Sequence, residues 1–482
     1  MPNVRREDLE MKIPALMHLS RLGYGYLCRE QVRRRNRETN IFPEALRAAT
    51  ERINGRRISD GEFGQLTETL WMQLDAEDLG KAFYGTIRNG WNGIRLIDFD
   101  RPENNLFQSA AELPCGNGEG SFRPDITLFV NGLPLAMIEV KTGDRNGGLQ
   151  AEYDRMLKRS QGKEARRYLQ AAQVWAFSDD RAEEQAALMP TEGAFYATVT
   201  AGGFPVYGVP GLLTPGGIRL RARNAEEERR ILEDNGIMER PKSEALRKSA
   251  APNKYTHRML TVLFFPERFL FLLRYGIQYV RETETAGKEY LTRRILTLRQ
   301  MSVLRSLRGK AARGFLNWSA APCGAAGEQA MNASLVALLR DLAPGASLHW
   351  VSADETEQRR DRKMLEACGV ACVSRDEAPD GRLILTPADE APDGRLTLLR
   401  ADEESDKRQP ESGTRGGAGR KVFILPSPVF RYGARRSFHA KLRRAEPDAI
   451  LVTRITERET ERGFSAVVMR MEVKPEKEKQ YE

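Results

Sequence analysis

The sequence predicts an α/β protein of two mixed domains. Helical apolar patterns alternate with short β-branched and aromatic runs through both halves of the chain. An Asn131-Gly132 pair between two such runs marks a strand hairpin. A Gly- and Pro-rich stretch at 201–220 divides a chain whose 482 residues are enough for two or three cores.

In chain order, helical patterns fill 7–22, 42–54 and 62–89, and strands are expected at 93–99 and 105–109. The hairpin follows, with strands at 126–130 and 135–140, because those residues are mostly β-branched, aromatic or large aliphatic. A helix over 148–160 and an apolar strand at 172–177 complete a domain spanning 1–200. Residues 224–250 are charged and helical in pattern, so 201–285 reads as a connector. Beyond it, 286–482 forms a second domain, with a strand at 347–352 and a helix at 355–367. An eight-residue string, Asp376 to Leu383, recurs as Asp389 to Leu396, and a charged, Gly-rich run follows, so 376–420 reads as a low-complexity insertion. The tail from Glu472 reads as a solvated run of Lys and Glu.

Charge is placed sparingly in the hairpin. Asp125 stands before the first strand, and Glu139 and Lys141 at the end of the second. Facing residues of an antiparallel pair keep a constant index sum. An Asp125–Glu139 pair makes it 264, which calls for an odd loop centred on Gly132, whereas a two-residue loop gives 263 and sends the carboxylates to opposite faces. Glu139 and Lys141 share a face by the period of two, and Ile138 and Val140 point the other way, into a core. Two carboxylates beside a lysine could hold a hard divalent cation, Mg²⁺ or Mn²⁺, and activate water, or could be solvated charges at a hairpin edge.

The string RPDITLFVNGLPLAMIEVK, 123–141, resembles the nuclease domain of the motor-nuclease R subunit of type I restriction enzymes, a branch of the PD-(D/E)xK nucleases. The resemblance implies a restriction-endonuclease-like core, metal binding by Asp125 and Glu139 with Val140 and Glu10 completing the set, and a catalytic Lys141. Glu10 is the first-helix acid, with Glu7 and Asp8 competing for the place. Where the family often has a Q-x-x-x-Y helix, this chain has Asp154 and Lys158, with Gln150 and Tyr153 nearby at other spacing.

The resemblance continues into a RecA-like motor lobe, but its motifs are lost. Residues 261–274 resemble the segment joining nuclease to motor, and Gln300 matches the adenine-reading glutamine. The phosphate-binding loop falls on 314–329, with Glu328 where lysine should stand, and a carboxylate there repels a triphosphate. The D-E-A-H box falls on Leu425 to Pro428, leaving no carboxylate, and the coupling motif on Thr453 to Arg458. The resemblance thus implies a degenerate lobe that takes no ATP.

The balance of 76 Lys+Arg against 67 Asp+Glu, net +9, leans toward polyanion partners. Arginine clusters stand at 33–35, 158–159, 166–167 and 293–313. Five scattered cysteines suit a reducing compartment, and Cys368 and Cys372 could share a helix turn but lack a second pair for zinc. Four histidines, isolated in sequence, read as surface or packed residues. No long apolar run or leader pattern is present, so a cytoplasmic protein without membrane contact is expected. Two functions remain in view: a metal-dependent DNA endonuclease of restriction or phage defence, working with partner subunits, or an inert DNA-binding or subunit-interaction protein. An ATP-driven translocase is a distant third.

Overall fold

The computed structural model describes residues 7–116, 121–142, 148–160, 162–180, 194–198, 207–208, 218–237, 255–283 and 287–309, and beyond them the helices and strands named below. The chain divides into two units, 1–277 with 288–295, and 278–287 with 296–482.

The first unit is a seven-stranded mixed sheet with helices on its faces. Its elements are α1 (Ile13–Leu22), β1 (Gly25–Leu27), α2 (Arg29–Val32), α3 (Pro43–Asn54), α4 (Asp60–Asp75), α5 (Lys81–Asn89), β2 (Phe107–Ala111), β3 (Ile126–Val130), β4 (Leu133–Val140), α6 (Gly148–Ser160), α7 (Lys163–Ala171), β5 (Val174–Ser178), β6 (Ala194–Ala197), β7 (Tyr207–Gly208), α8 (Ala225–Asp234), α9 (Tyr255–Phe264) and α10 (Pro266–Tyr275). The strands lie in sequence order across the sheet. β1 runs parallel to β2 and β4 parallel to β5, while the other neighbours are antiparallel. One face carries Phe129, Met137, Trp175 and Phe177 against Tyr153 of α6 and Tyr168 of α7, and burial of each such ring contributes about 2–3 kcal/mol. The residues expected to be a connector are integral to this unit where they are described: Tyr26 Oη donates to Asp234 of α8 at 2.6 Å, and Tyr24 Oη to the Phe264 carbonyl of α9 at 2.7 Å. After α10, β8 (Ile277–Thr283) and β9 (Glu289–Ile295) pair as a separate two-stranded sheet.

The hairpin corrects the loop predicted for it. Its turn is the two-residue Asn131-Gly132, with φ of 54° and 78°, the mirror-image turn that suits twisted strands. Next to the turn, Val130 faces Leu133 and Phe129 faces Pro134, the register of an even loop. A β-bulge between Leu128 and Phe129 then shifts the ladder, and Leu128 faces Ala136, Thr127 Met137 and Ile126 Ile138. The extra residue of β4 restores the 264 register, so Asp125 and Glu139 share a face although the loop is even. Gly132 has no alternative, since a Cβ there would stand 2.7 Å from the Phe42 carbonyl at the start of α3. Asn131, fully buried, accepts from Leu106 N–H at 2.7 Å and donates to the Leu96 carbonyl at 2.8 Å.

Two other expectations change. The alternation at 93–99 is not a strand. Trp91 and Ile94 close a tight bridge, and the backbone beyond is satisfied by side chains: Asn54 Oδ1 accepts from Arg95 N–H, and Asn105 Oδ1 from Asp98 N–H, both at 3.0 Å. Cys368 and Cys372 do not share a helix turn, because the helix there ends at Ala367 and Cys372 opens a strand. Cys28, Cys115, Cys368 and Cys372 are free thiols.

The histidines distant in sequence meet in space. His18 of α1 stacks on His257 of α9, with centroids 4.5 Å apart and planes 6° from parallel. Thr261 gives its one hydroxyl proton to the His257 carbonyl, so its oxygen accepts from His18 Nε2–H at 2.7 Å, and His18 Nδ1 is buried without a partner. Burial, then the neighbouring His257 and Arg21, pull the His18 pKa down to about 3. In the unfolded chain it titrates near 6.5. The folded protein thus refuses a proton that the unfolded chain takes, and stability that is full above about pH 6.5 falls as pH drops toward 3. His18→Gln, which keeps an N–H donor, is expected to flatten that acid limb by about one proton in urea unfolding titrations.

The second unit is built on another seven-stranded sheet. Its elements are α11 (Leu298–Gly309), β10 (Gly314–Ala320), α12 (Gly324–Leu342), β11 (Ser347–Ser352), α13 (Glu355–Ala367), β12 (Cys372–Ser374), β13 (Leu396–Arg400), β14 (Lys421–Leu425), β15 (Ala449–Arg458) and β16 (Phe464–Val473). The order is β10-β16-β15-β14-β11-β13-β12, and all strands but β16 run parallel. Three expectations shift here. Leu396–Arg400, expected inside a low-complexity insertion, is a strand between β11 and β12. The coupling-motif residues Thr453 to Arg458 lie within β15, and Glu472, expected in the tail, within β16. The repeat up to Arg395, the run 401–420 and residues Pro426 to Pro428 lie outside the described residues. Among the described residues, no helix is long and apolar enough to cross a membrane.

Candidate active site at the end of the hairpin

At the mouth of the hairpin the sequence supplies what a strand end needs to become a site. Beyond the last rungs the backbone leaves the sheet, and charged side chains reach a partly open edge. Asp125 is pinned twice: its carbonyl accepts from Glu112 N–H at 3.1 Å, and its Oδ2 from Val140 N–H at 2.9 Å. Glu139 sits inside β4 opposite Phe177 of β5 and is 3% exposed. Lys141 continues the strand, its N–H donating to the Ser178 carbonyl at 2.9 Å.

Four carboxylates surround the Lys141 ammonium. Nζ lies 3.3 Å from Glu7, 3.4 Å from Asp125, 3.6 Å from Glu139 and 3.9 Å from Glu152, and donates to the Val140 carbonyl at 3.1 Å. Glu152 also pairs with Arg155, one turn along α6. Burial lowers the Lys141 pKa, but Asp125, Glu139, Glu7 and Glu152 together outweigh it and hold the pKa above its ordinary value. Burial, then the Asp125 charge, pushes the Glu139 carboxyl well above the usual range, with Lys141 opposing.

Asp125, Glu139 and Lys141 thus converge, with the Val140 carbonyl between them. Glu10 does not join them; it is exposed, and Glu7 takes the place on the Lys141 ammonium. The cause is local. Pro14 has no N–H for the Glu10 carbonyl, and its ring crowds that oxygen, so Asp8–Lys12 winds as a wide π turn and the helical phase slips. Sequence reasoning passes over Glu152 in favour of Asp154 and Lys158, which are exposed. The signal for Glu152 is its spacing from Leu149, Tyr153 and Met156, the buried face of α6. Glu7→Gln is expected to slow any cleavage by about tenfold or more, and Glu10→Gln to leave it within twofold, in parallel plasmid-nicking assays.

A divalent cation fits this donor set. Among the described residues, four carboxylates lie around the Lys141 ammonium, and Arg155 pairs with one of them, Glu152. Glu139 Oε1 is buried with no hydrogen-bond donor on it. Asp125, Glu139 and the Val140 carbonyl are hard oxygen donors, which suit Mg²⁺ or Mn²⁺. Among the described residues no three acidic, histidine or cysteine side chains form a ready cage. The ion would therefore keep several water or phosphate ligands, as Mg²⁺ does.

Residues 5–182 match the family described as the type I restriction enzyme R protein N terminus. The match covers α1 to β5 and all five residues of the cluster. The chain is similar to the type I restriction enzyme HindI endonuclease subunit of Haemophilus influenzae, 32% identical over 117 residues, 21% of this chain and 11% of that one. It is also similar to two putative type I restriction endonuclease subunits of Methanocaldococcus jannaschii. MjaIXP is 29% identical over 170 residues, 29% of this chain and 16% of the relative. MjaVIIIP is 44% identical over 50 residues, 10% of this chain and 5% of the relative. The chain thus matches no more than 16% of the length of these relatives.

Proposed function

We propose that the first unit is a metal-dependent DNA endonuclease of restriction or phage-defence type, and that the second unit is a RecA-like lobe serving as a scaffold without ATPase activity. The observation that carries the reading is the convergence of Asp125, Glu139 and Lys141 at one strand end, with Glu139 Oε1 buried and without a hydrogen-bond donor. Bound there, Mg²⁺ or Mn²⁺ would polarise a phosphodiester and acidify a water. Asp125 and Glu139, with the Val140 carbonyl, hold the ion; Glu7, in place of Glu10, stands on the lysine. Lys141, kept protonated by its carboxylates, acts as a charged donor that orients water and offsets charge building on the phosphate. It is not a base. Val140 N–H fixes the Asp125 carboxylate, so the site is set before DNA arrives.

The scaffold reading rests on Glu328 in the first turns of α12, where a phosphate-binding lysine would be needed, and on the apolar end of β14 at Leu425. The parallel sheet and its alternating helices suit a RecA-like lobe. DNA is the expected substrate, other restriction or defence subunits are the expected partners, and the cytoplasm is the expected compartment. The test is supercoiled plasmid with Mg²⁺, with and without ATP, beside Asp125→Ala and Lys141→Ala. Nicking that needs Mg²⁺ but not ATP supports the reading; intact plasmid with wild-type protein under Mg²⁺ and Mn²⁺ favours an inert DNA-binding or subunit-interaction protein. ATP hydrolysis above background would overturn the scaffold assignment.

A further inference from the structure

We propose that Arg33, Arg34 and Arg37, on the turn after α2, grip the phosphate backbone of duplex DNA and hold it against the carboxylate site. The inference deepens the nuclease reading and rests on it.

The arginine clusters of the chain are not equivalent once folded. Arg166 pairs with Glu77 at 2.9 Å, and Arg167 with Asp75 at 2.9 Å and with Glu38 at 3.4 Å, its guanidinium stacked on Trp71. Arg155 is held by Glu152. Arg33, Arg34 and Arg37 are exposed, and among the described residues none has a carboxylate partner. Glu38, the acid within this turn, is turned away to Trp71 and Arg167.

The turn presenting them is rigid. Arg35 bonds the Val32 carbonyl at 3.0 Å, Asn40 Oδ1 at 2.8 Å and the Pro114 carbonyl at 2.8 Å. Asn36 closes it from inside, its N–H donating to the Ile41 carbonyl and its Oδ1 accepting from Glu38 and Thr39 N–H. Holding like charges together on a fixed turn costs free energy that a bound polyanion would recover. Arg37 already lowers the Arg35 pKa, after burial.

The turn is also tied to the site. Arg35 reaches Pro114, two residues after Glu112, whose N–H holds the Asp125 carbonyl. Val32 at the end of α2, Cys115 and Met137, two residues before Glu139 on β4, are buried in one core cluster, which puts the turn and Glu139 on one side of the sheet. A duplex resting on the arginines would therefore run toward the carboxylates.

Binding of a labelled duplex is measured by anisotropy over a salt series in EDTA, where no metal-dependent cleavage occurs. Each lost phosphate contact lowers the slope of log affinity against log salt by about 0.9. Arg33→Ala/Arg34→Ala/Arg37→Ala is expected to reduce the slope by about 2–3. Arg166→Ala/Arg167→Ala, which removes paired arginines, should leave it unchanged. Equal slopes for wild type and the triple variant, an equal drop in the control, or no duplex binding by wild type would each overturn the proposal. A cluster-dependent slope in a protein that never nicks plasmid supports the arginine grip and sinks only the nuclease reading.

Discussion

Asp125→Ala and Lys141→Ala are each expected to cut Mg²⁺-dependent nicking by about 10³-fold or more while leaving the protein folded. The two losses have different causes. Asp125 supplies a metal ligand, and its removal also frees Val140 N–H, so affinity for the ion should fall and rising Mg²⁺ should recover part of the rate. Lys141 supplies a fixed positive charge, and removing one such donor costs about 10²–10³ in rate. Here the loss is larger, because four carboxylates lose the ammonium that they share. Extra Mg²⁺ should not restore that rate. A Lys141→Ala protein that nicks at the wild-type rate would remove the lysine from the mechanism. Circular dichroism of both variants should match wild type, since both side chains are partly open to solvent.

Arg293→Met is expected to destabilise the first unit by about 3 kcal/mol, which for a unit of this size is a fall of about 6–12 °C in Tm. Arg293 lies on β9 and is fully buried. Its guanidinium donates to the carbonyls of Leu79 at 3.2 Å, Gln170 at 3.1 Å, Ala172 at 3.0 Å and Leu169 at 3.5 Å. Three of these end α7, where the helix dipole is negative and favours a cation. Met fills the space but donates nothing. Gln170 and Ala172 keep Gln173 and Trp175 as donors, which limits the loss. Arg293→Lys should recover little, because a single ammonium cannot span four carbonyls. Thermal melts of the three proteins decide it; a shift under about 2 °C in the Arg293→Met protein would show that those carbonyls find other donors.

Much of the first unit was legible because its signals are local. Apolar runs around Asn131-Gly132 marked the hairpin, and the scarcity of charge inside them singled out Asp125, Glu139 and Lys141. What was not legible depends on long-range satisfaction of the backbone. The loop at 93–99 imitates a strand because Ile94 and Leu96 alternate, yet distant Asn54 and Asn105 provide its bonds. Glu7 stood only as a competitor to Glu10, because the choice turns on a change of helical pitch that no fixed period anticipates. The His18–His257 stack joins residues from opposite ends of the unit. In the second unit, the strand Leu396–Arg400 was masked by the repeat that precedes it.

The bulge in β4 separates two requirements that a plain hairpin would fuse. The turn can keep the tight geometry that Phe42 and Leu46 demand, while the far end keeps its own phase, because one surplus residue absorbs the mismatch. Leu135 works as a phase shifter between a structural end and a chemical end. Removing it would not shorten the hairpin so much as turn its outer half inside out, sending Glu139 and Lys141 to the face now held by Ile138 and Val140.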